Sequence, residues 1–404
     1  MAGNVMVRWR VAGLLLLVTL LVFFVRLALL QSQPIVDETV HVPQIESFMR
    51  GSWDTQPNLA MIPGYHLVVA GLMSATGLSS LGAMRGMSAM FGVVAALIFY
   101  FIRRKLNDED ALASAVLFYL FPLFYPYYFL AYTDIFSLVI VLLAVLSAIS
   151  GRHVLAAVIM TLSLAVRQNN VIWAAFLAAY AAWPALTMRE TSAWMRLKGA
   201  SAKAISYVLP ALAFLAYWRW NGTIAFSAKI AGAHPDLTVH AGNVWFTSLL
   251  FLVLFPYEAW KGLRSFGAAL PVRPWLSLIP IVAGGCVKLR GSGDNHAFLD
   301  YFIRNAFIVS VAHGWMKVCV GISVGLAAWS MAFIRFRDSR GLLIYPVSIV
   351  CLASSKLIEN RYSIVPFALW MAFRKENSPR WMMLVWLALS SLLTYGVLTK
   401  RFML

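Results

Sequence analysis

Asp37, Glu38 and His41 stand at positions i, i+1 and i+4, just beyond an apolar run covering about residues 11–30. On a short helix Asp37 and His41 share a face, while Glu38 points about 100° away. Adjacent carboxylates at a membrane surface repel each other, which raises the pKa of one and suits it to act as a general base. The same spacing also serves a helix N-terminus, where acids complement the macrodipole. Asp37 and His41 together could ligate a metal, but no third ligand accompanies them, so neither a metal nor another cofactor is expected. The segment continues through Pro43-Gln44, Trp53-Asp54 and Pro63-Gly64-Tyr65-His66.

Composition says what must hold these side chains. Of 404 residues, 61% are apolar and 12% charged, with a mean hydropathy of +0.77. Soluble domains are about half apolar and about a quarter charged. So much apolar surface needs lipid as its solvent, and its runs are continuous rather than alternating, which argues against a β-barrel. The reading is an all-α, polytopic transmembrane helical protein of about 12–13 spans, with residues 1–404 forming a single membrane domain. The run at 11–30 is long and lacks a small-x-small cleavage site, so it reads as an uncleaved first span.

The net charge of +17 does not signal nucleic acid, because the basic residues lie in short clusters between apolar runs. That is the positive-inside pattern, which also suits an anionic lipid surface. It assigns Arg8/Arg10, Arg103-Arg104-Lys105, Arg152, the 189–203 segment, Lys261/Arg264/Arg273, Arg335/Arg337/Arg340 and Arg374-Lys375/Arg380 to the cytoplasm. External turns then fall near 32–80, 131–134, 167–170, 221–241, 287–304 and 356–362. Nine of the 16 acidic residues lie in those turns, a one-sided polarity that argues against a transport route through mid-membrane. Cys286, Cys319 and Cys351 show no metal-ligand spacing and read as membrane-buried thiols.

Later fragments complete a pattern. After the opening Asp37-Glu38-x-x-His41-x-Pro43-Gln44 come Tyr132-Thr133-Asp134, Arg152-His153 and Arg167-Gln168-Asn169-Asn170-Val171-Ile172-Trp173. Asp294-Asn295-His296 and Glu359-Asn360-Arg361-Tyr362, with Pro366, follow in order. The series resembles the dolichyl-phosphate-glucose-dependent α-1,2-glucosyltransferases, which add the last glucose to the lipid-linked oligosaccharide used for N-glycosylation. There are departures. The family's Gly-Asp-Lys is replaced by Phe226-Ser227-Ala228-Lys229, and the arginine within its Asp-Asn-Arg-His is missing at 294–296.

The resemblance implies a membrane-embedded glycosyltransferase of the GT-C architecture, in the endoplasmic-reticulum membrane with a luminal active site. It implies dolichyl phosphate glucose as donor, a lipid-linked oligosaccharide as acceptor, and inversion by one in-line displacement. Residues 32–80 become the first luminal loop, with Asp37 as catalytic base and Glu38 as second choice or orienting group. A leaving phosphate calls for cations, and Arg361, Lys229 and Arg167 are the candidates, with interfacial snorkelling as their ordinary alternative. Arg304 reads better as a helix-end anchor. Asp134, Gln168, Asn169, Asp294, Asn295, His296 and Glu359 are expected to bind sugar hydroxyls, or else to cap turns. His41, His234 and Tyr362 complete the binding set, and Glu359 is also placed to hold Arg361. The aromatics at 121–132 read as an interfacial belt, and Asn221-Gly222-Thr223 is a glycosylation sequon. Nothing in the residues selects glucose over mannose, so a GT-C enzyme with another sugar or acceptor is the alternative. A transporter is a further one, disfavoured by the lack of repeats.

Overall fold

A computed structural model describes residues 18–188, 192–231, 239–278 and 315–401, apart from Lys356. Among them no strand forms beyond an isolated bridge between Phe336 and Arg374. The helices run α1 (Val18–Leu30), α2 (Glu38–Met49), α3 (Gly64–Thr76), α4 (Leu81–Lys105), α5 (Ala111–Tyr119), α6 (Thr133–Ile149), α7 (His153–Leu164) and α8 (Val171–Leu186). They continue with α9 (Ala193–Ala204), α10 (Val208–Asn221), α11 (Gly242–Leu254), α12 (Pro256–Ala269), α13 (Met316–Ala332), α14 (Ile344–Ala353), α15 (Ile364–Phe373) and α16 (Trp381–Leu398).

This is an all-α polytopic membrane protein. Among the described residues α4, α16 and the Ala193–Asn221 stretch are long and apolar enough to cross a bilayer. Other apolar helices are shorter than the span length expected from hydropathy, and 3₁₀ turns extend some of them, as Tyr125–Phe129, Ser339–Leu343 and Asn360–Ser363. The reason is clearest at residues 121–132, where Pro122 and Pro126 prevent a continuous helix. Broken backbone at membrane depth is tolerated only inside protein. Accordingly Phe121, Tyr125, Tyr127, Tyr128 and Phe129 are at most 2% exposed and form core, not the interfacial belt expected from their composition. Gly92 of α4 makes room for this segment, since a Cβ there would stand 2.6 Å from the Tyr128 ring.

Helix α4 packs against α5 and α6 and carries a fully buried arginine near each end, Arg85 and Arg103. At about 1.5 Å per residue they lie roughly 27 Å apart, close to the ~30 Å hydrocarbon thickness of a bilayer. Arg103 donates to Asp108 Oδ2 (2.6 Å), to the carbonyls of Met371, Ala372 and Arg374, and to Asn377 Oδ1 (2.6 Å). Arg337 meets the same Asp108 at 2.8 Å. Clusters assigned to the cytoplasm from charge alone thus converge at one end of the bundle. Arg103→Ala leaves Asp108 with Arg337 as its cation and takes the donor from the carbonyls of Met371, Ala372 and Arg374, and should lower stability by about 3–5 kcal/mol, with turnover per folded molecule unchanged. Thermal melting in detergent beside an activity assay checks both halves.

Candidate active site

The other end of the bundle holds the acidic pair. Asp37 stands at the N-cap position of α2, without a side-chain capping bond, after a bend in which Val36 has φ 46°. Its carboxylate pairs with Arg361, and Arg361 also pairs through Nε with Glu359. Arg361 stands on the 3₁₀ turn Asn360–Ser363 leading into α15. That turn is held from two sides: Asn243 Oδ1 accepts from the Glu359 amide at 3.0 Å, and Tyr127 Oη donates to Asn360 Oδ1 at 2.7 Å. One guanidinium therefore sits between two carboxylates whose positions are 324 and two residues away in sequence.

A second ion pair lies alongside. Arg167, between α7 and the turn Gln168–Asn170, approaches Asp134 Oδ1 at 2.8 Å and donates to Thr133 Oγ1 at 3.2 Å. Neither Asp134 oxygen accepts a well-aligned hydrogen bond, so both keep accepting capacity. Asp134, Arg167, Asn169, Trp173, Arg361 and Tyr362 line a cavity of about 20 Å³. That is room for about one water, so a sugar enters only when these side chains part.

The two carboxylates on Arg361 are driven in opposite directions. Burial pushes Asp37 up, but the charge and hydrogen bond of Arg361 outweigh it and hold the carboxyl below its usual range. Burial raises Glu359, and Arg361 does not fully offset it, with the Asp37 charge pushing the same way as burial. Beside them His41 Nδ1 lies 3.0 Å from His66 Nε2, and burial holds His41 down to about 4, so it is neutral at neutral pH.

The DIE2/ALG10 family model matches residues 31–372, a stretch that contains every residue of this cluster. The chain belongs to the DIE2/ALG10 family. A rat relative of this DIE2/ALG10 chain is 24% identical over 84% of this chain and 83% of its own length. A Yarrowia lipolytica relative is 28% identical over 69% and 59%. An Arabidopsis thaliana relative is 32% identical, over only 36% of this chain and 33% of its own. All three carry the name Dol-P-Glc:Glc(2)Man(9)GlcNAc(2)-PP-Dol alpha-1,2-glucosyltransferase. No solved structure matches the chain.

In this DIE2/ALG10 chain the residues singled out from sequence do not all meet. Asp37, Asp134, Arg167, Asn169, Glu359, Arg361 and Tyr362 gather as described, with His41 behind Asp37. Glu38 turns away from them and is fully enclosed by Arg85. Gln168 donates its amide to the carbonyls of Ala60 and Ile224 and to Tyr217 Oη of α10, joining segments far apart in sequence rather than facing the cavity. Lys229 is exposed on the turn Ala228–Ile230, and no ion pair joins it to the cluster among the described residues. His234, Asp294, Asn295 and His296 lie outside the described residues. At the sequon, the Asn221 amide donates to the carbonyls of Thr223 (2.9 Å) and Ala225 (2.8 Å), closing its own turn.

Two residues of the DIE2/ALG10 site were missed from sequence. Tyr132 Oη accepts from the Asp37 amide and donates to the Ile35 carbonyl, both at 3.1 Å, so it ties the Asp37 bend to the turn bearing Asp134. Arg85 is the other. Its signal was an ionisable side chain within an apolar run, which marks a site or pathway more often than chance.

Proposed function

We propose that this chain is an inverting glucosyltransferase of the endoplasmic-reticulum membrane. It moves glucose from dolichyl phosphate glucose onto a lipid-linked oligosaccharide in α-1,2 linkage, on the luminal side. Its relatives carry that reaction in their names. The observation that carries the reading in this chain is the Asp37–Arg361 pair, a general base and a phosphate-binding fork in contact beside the Asp134–Arg167 cavity. The GT-C architecture and the luminal placement of 32–80, a segment that contains helices α2 and α3, belong to the same reading.

In this scheme the acceptor 2-hydroxyl oxygen attacks the anomeric carbon of glucose as the bond from that carbon to the phosphate oxygen breaks. The hydroxyl proton goes to Asp37 and the bonding pair leaves with the phosphate, whose charge Arg361 and Arg167 neutralise. Asp134 and Asn169, on the cavity wall, accept and donate to sugar hydroxyls. In the resting protein the Asp37 carboxylate occupies the guanidinium that the donor phosphate needs. Exchange of one anion for the other frees Asp37 and raises its proton affinity, so the base is strengthened only once donor is bound. Glu38, with both oxygens engaged, supports the site without touching the proton.

Glu359 offers a second reading of the base, because burial raises its pKa and it shares Arg361. Its position two residues from Arg361, facing the guanidinium edge, suits it better to holding that side chain. The sugar itself is tested with purified chain in liposomes and defined lipid-phosphate sugars. Glucose transfer to a lipid-linked oligosaccharide is the expected result. Mannose transfer without glucose transfer would overturn the assignment.

A further inference from the structure

Arg85 uses its whole donor fork inside the protein. Nε reaches Glu38 Oε1 at 2.9 Å, and Nη2 reaches Glu38 Oε2 at 2.6 Å and the Gln33 carbonyl at 3.1 Å. Nη1 donates to the carbonyls of Ala28 (3.1 Å) and Gln31 (2.9 Å), at and just beyond the C-terminal end of α1. Those carbonyls have no partner within their own helix, and a cation there also complements its dipole. Glu38 completes its coordination with the Ile35 and Ala131 amides, each at 2.8 Å. The Glu38–Arg85 pair is 0% exposed on both sides.

Between the groups so fixed lies the bend that carries Asp37. Val36 there has φ 46°, in a region that β-branched residues rarely adopt and that persists only when its surroundings hold it. Glu38 holds the Ile35 amide, while Tyr132 holds the Ile35 carbonyl and the Asp37 amide. A buried ion pair is a costly way to tie a linker if packing alone is the aim, since apolar side chains serve about as well. A planar bidentate fork, however, fixes direction as well as distance.

We propose that Arg85 is a positioning residue for glucosyl transfer: through Glu38 it fixes the Ile35–Asp37 bend and thereby sets the Asp37 carboxylate against Arg361. The proposal rests on Asp37 as base. It assigns the neighbouring carboxylates different work, with Asp37 taking the proton and Glu38 anchoring the bend to α4.

The test compares Glu38→Gln, Arg85→Lys and Asp37→Asn in the full-length purified chain, with rates normalised to folded protein by thermal melting. Glu38→Gln keeps size and loses charge, and Arg85→Lys keeps charge and loses the fork. Both should lower kcat by about 100-fold, the cost of misplacing a catalytic group by about 1 Å, with the donor KM nearly unchanged. Both should also move the acid limb of kcat/KM upward, because in the donor-free enzyme a loosened Asp37 loses part of the Arg361 charge that favours its ionised form. A purely structural tie would lower the melting temperature and leave kcat per folded molecule and the limb where they are. That outcome, with Asp37→Asn inactive, overturns the positioning role while leaving Asp37 as base. Near-normal turnover of Asp37→Asn removes the base, and the positioning role falls with it. Should either variant not fold, the other decides, since Arg85→Lys keeps the buried charge pair that Glu38→Gln breaks.

Discussion

Asp37→Asn is expected to lower glucosyl transfer by about 10²- to 10⁴-fold, the contribution of a positioned general base. Asparagine keeps the shape and one acceptor oxygen for Arg361 but cannot take the acceptor proton. The Asp37 side chain is 34% exposed, so the protein should insert and melt close to the wild type. The pH dependence has a definite sign. Asp37 is held below its ordinary range by Arg361. Its pair with Arg361 therefore keeps the base ionised above the usual carboxylate range, and that form is lost as pH falls through the depressed pKa. The acid limb of kcat/KM for the donor, which reports the free enzyme, should lie below the pH at which an ordinary aspartate titrates. Single-turnover assays in detergent across pH measure it.

Arg361 carries the second large effect. Among the described residues it alone joins the Asp37 and Glu359 carboxylates, and it lines the cavity proposed for the donor phosphate. Losing one charge-assisted bond to phosphate should weaken donor binding by about 10- to 100-fold. Arg361→Ala also leaves two carboxylates facing each other without a cation. Arg361→Lys separates that penalty from phosphate recognition. It restores the charge, and most of the stability with it, but presents a point charge where a fork is needed, so donor affinity should stay low. Donor titration by quenched fluorescence or competition, beside melting curves, distinguishes the two. Full recovery of affinity in Arg361→Lys would return Arg361 to the role of an interfacial cation.

Much of this protein was legible as pattern. Continuous apolar runs and interspersed basic clusters announced helices in lipid, and three of the clusters, those holding Arg103, Arg337 and Arg374, do meet at one end, around Asp108. The fragments carrying Asp37, Asp134, Arg167 and Arg361 were each visible, but nothing in the chain pairs residues 37 and 361 until the helices pack. Adjacency hid the division between Asp37 and Glu38. Consecutive positions near a helix start look equivalent in sequence, yet about 100° of rotation sends one toward Arg361 and the other into α4. The segment 121–132 misled for a related reason. Aromatic composition suits an interfacial belt and a core alike, and the prolines that force a broken crossing also force its burial. Gln168 sits within a telling motif, yet its amide is committed to loop carbonyls that lie far away in sequence.

The central claim is that Arg361 holds Asp37 in check until the donor phosphate takes its place. Its most direct measurement is the pH dependence of kcat at saturating donor against that of kcat/KM, in the wild type, Asp37→Asn and Glu359→Gln. The account predicts an acid limb for kcat at higher pH than for kcat/KM, because bound donor relieves Asp37 of its cation. It also predicts that both limbs persist in Glu359→Gln and vanish from the residual activity of Asp37→Asn. Coincident limbs in the wild type, or limbs that vanish in Glu359→Gln while Asp37→Asn keeps them, would contradict it.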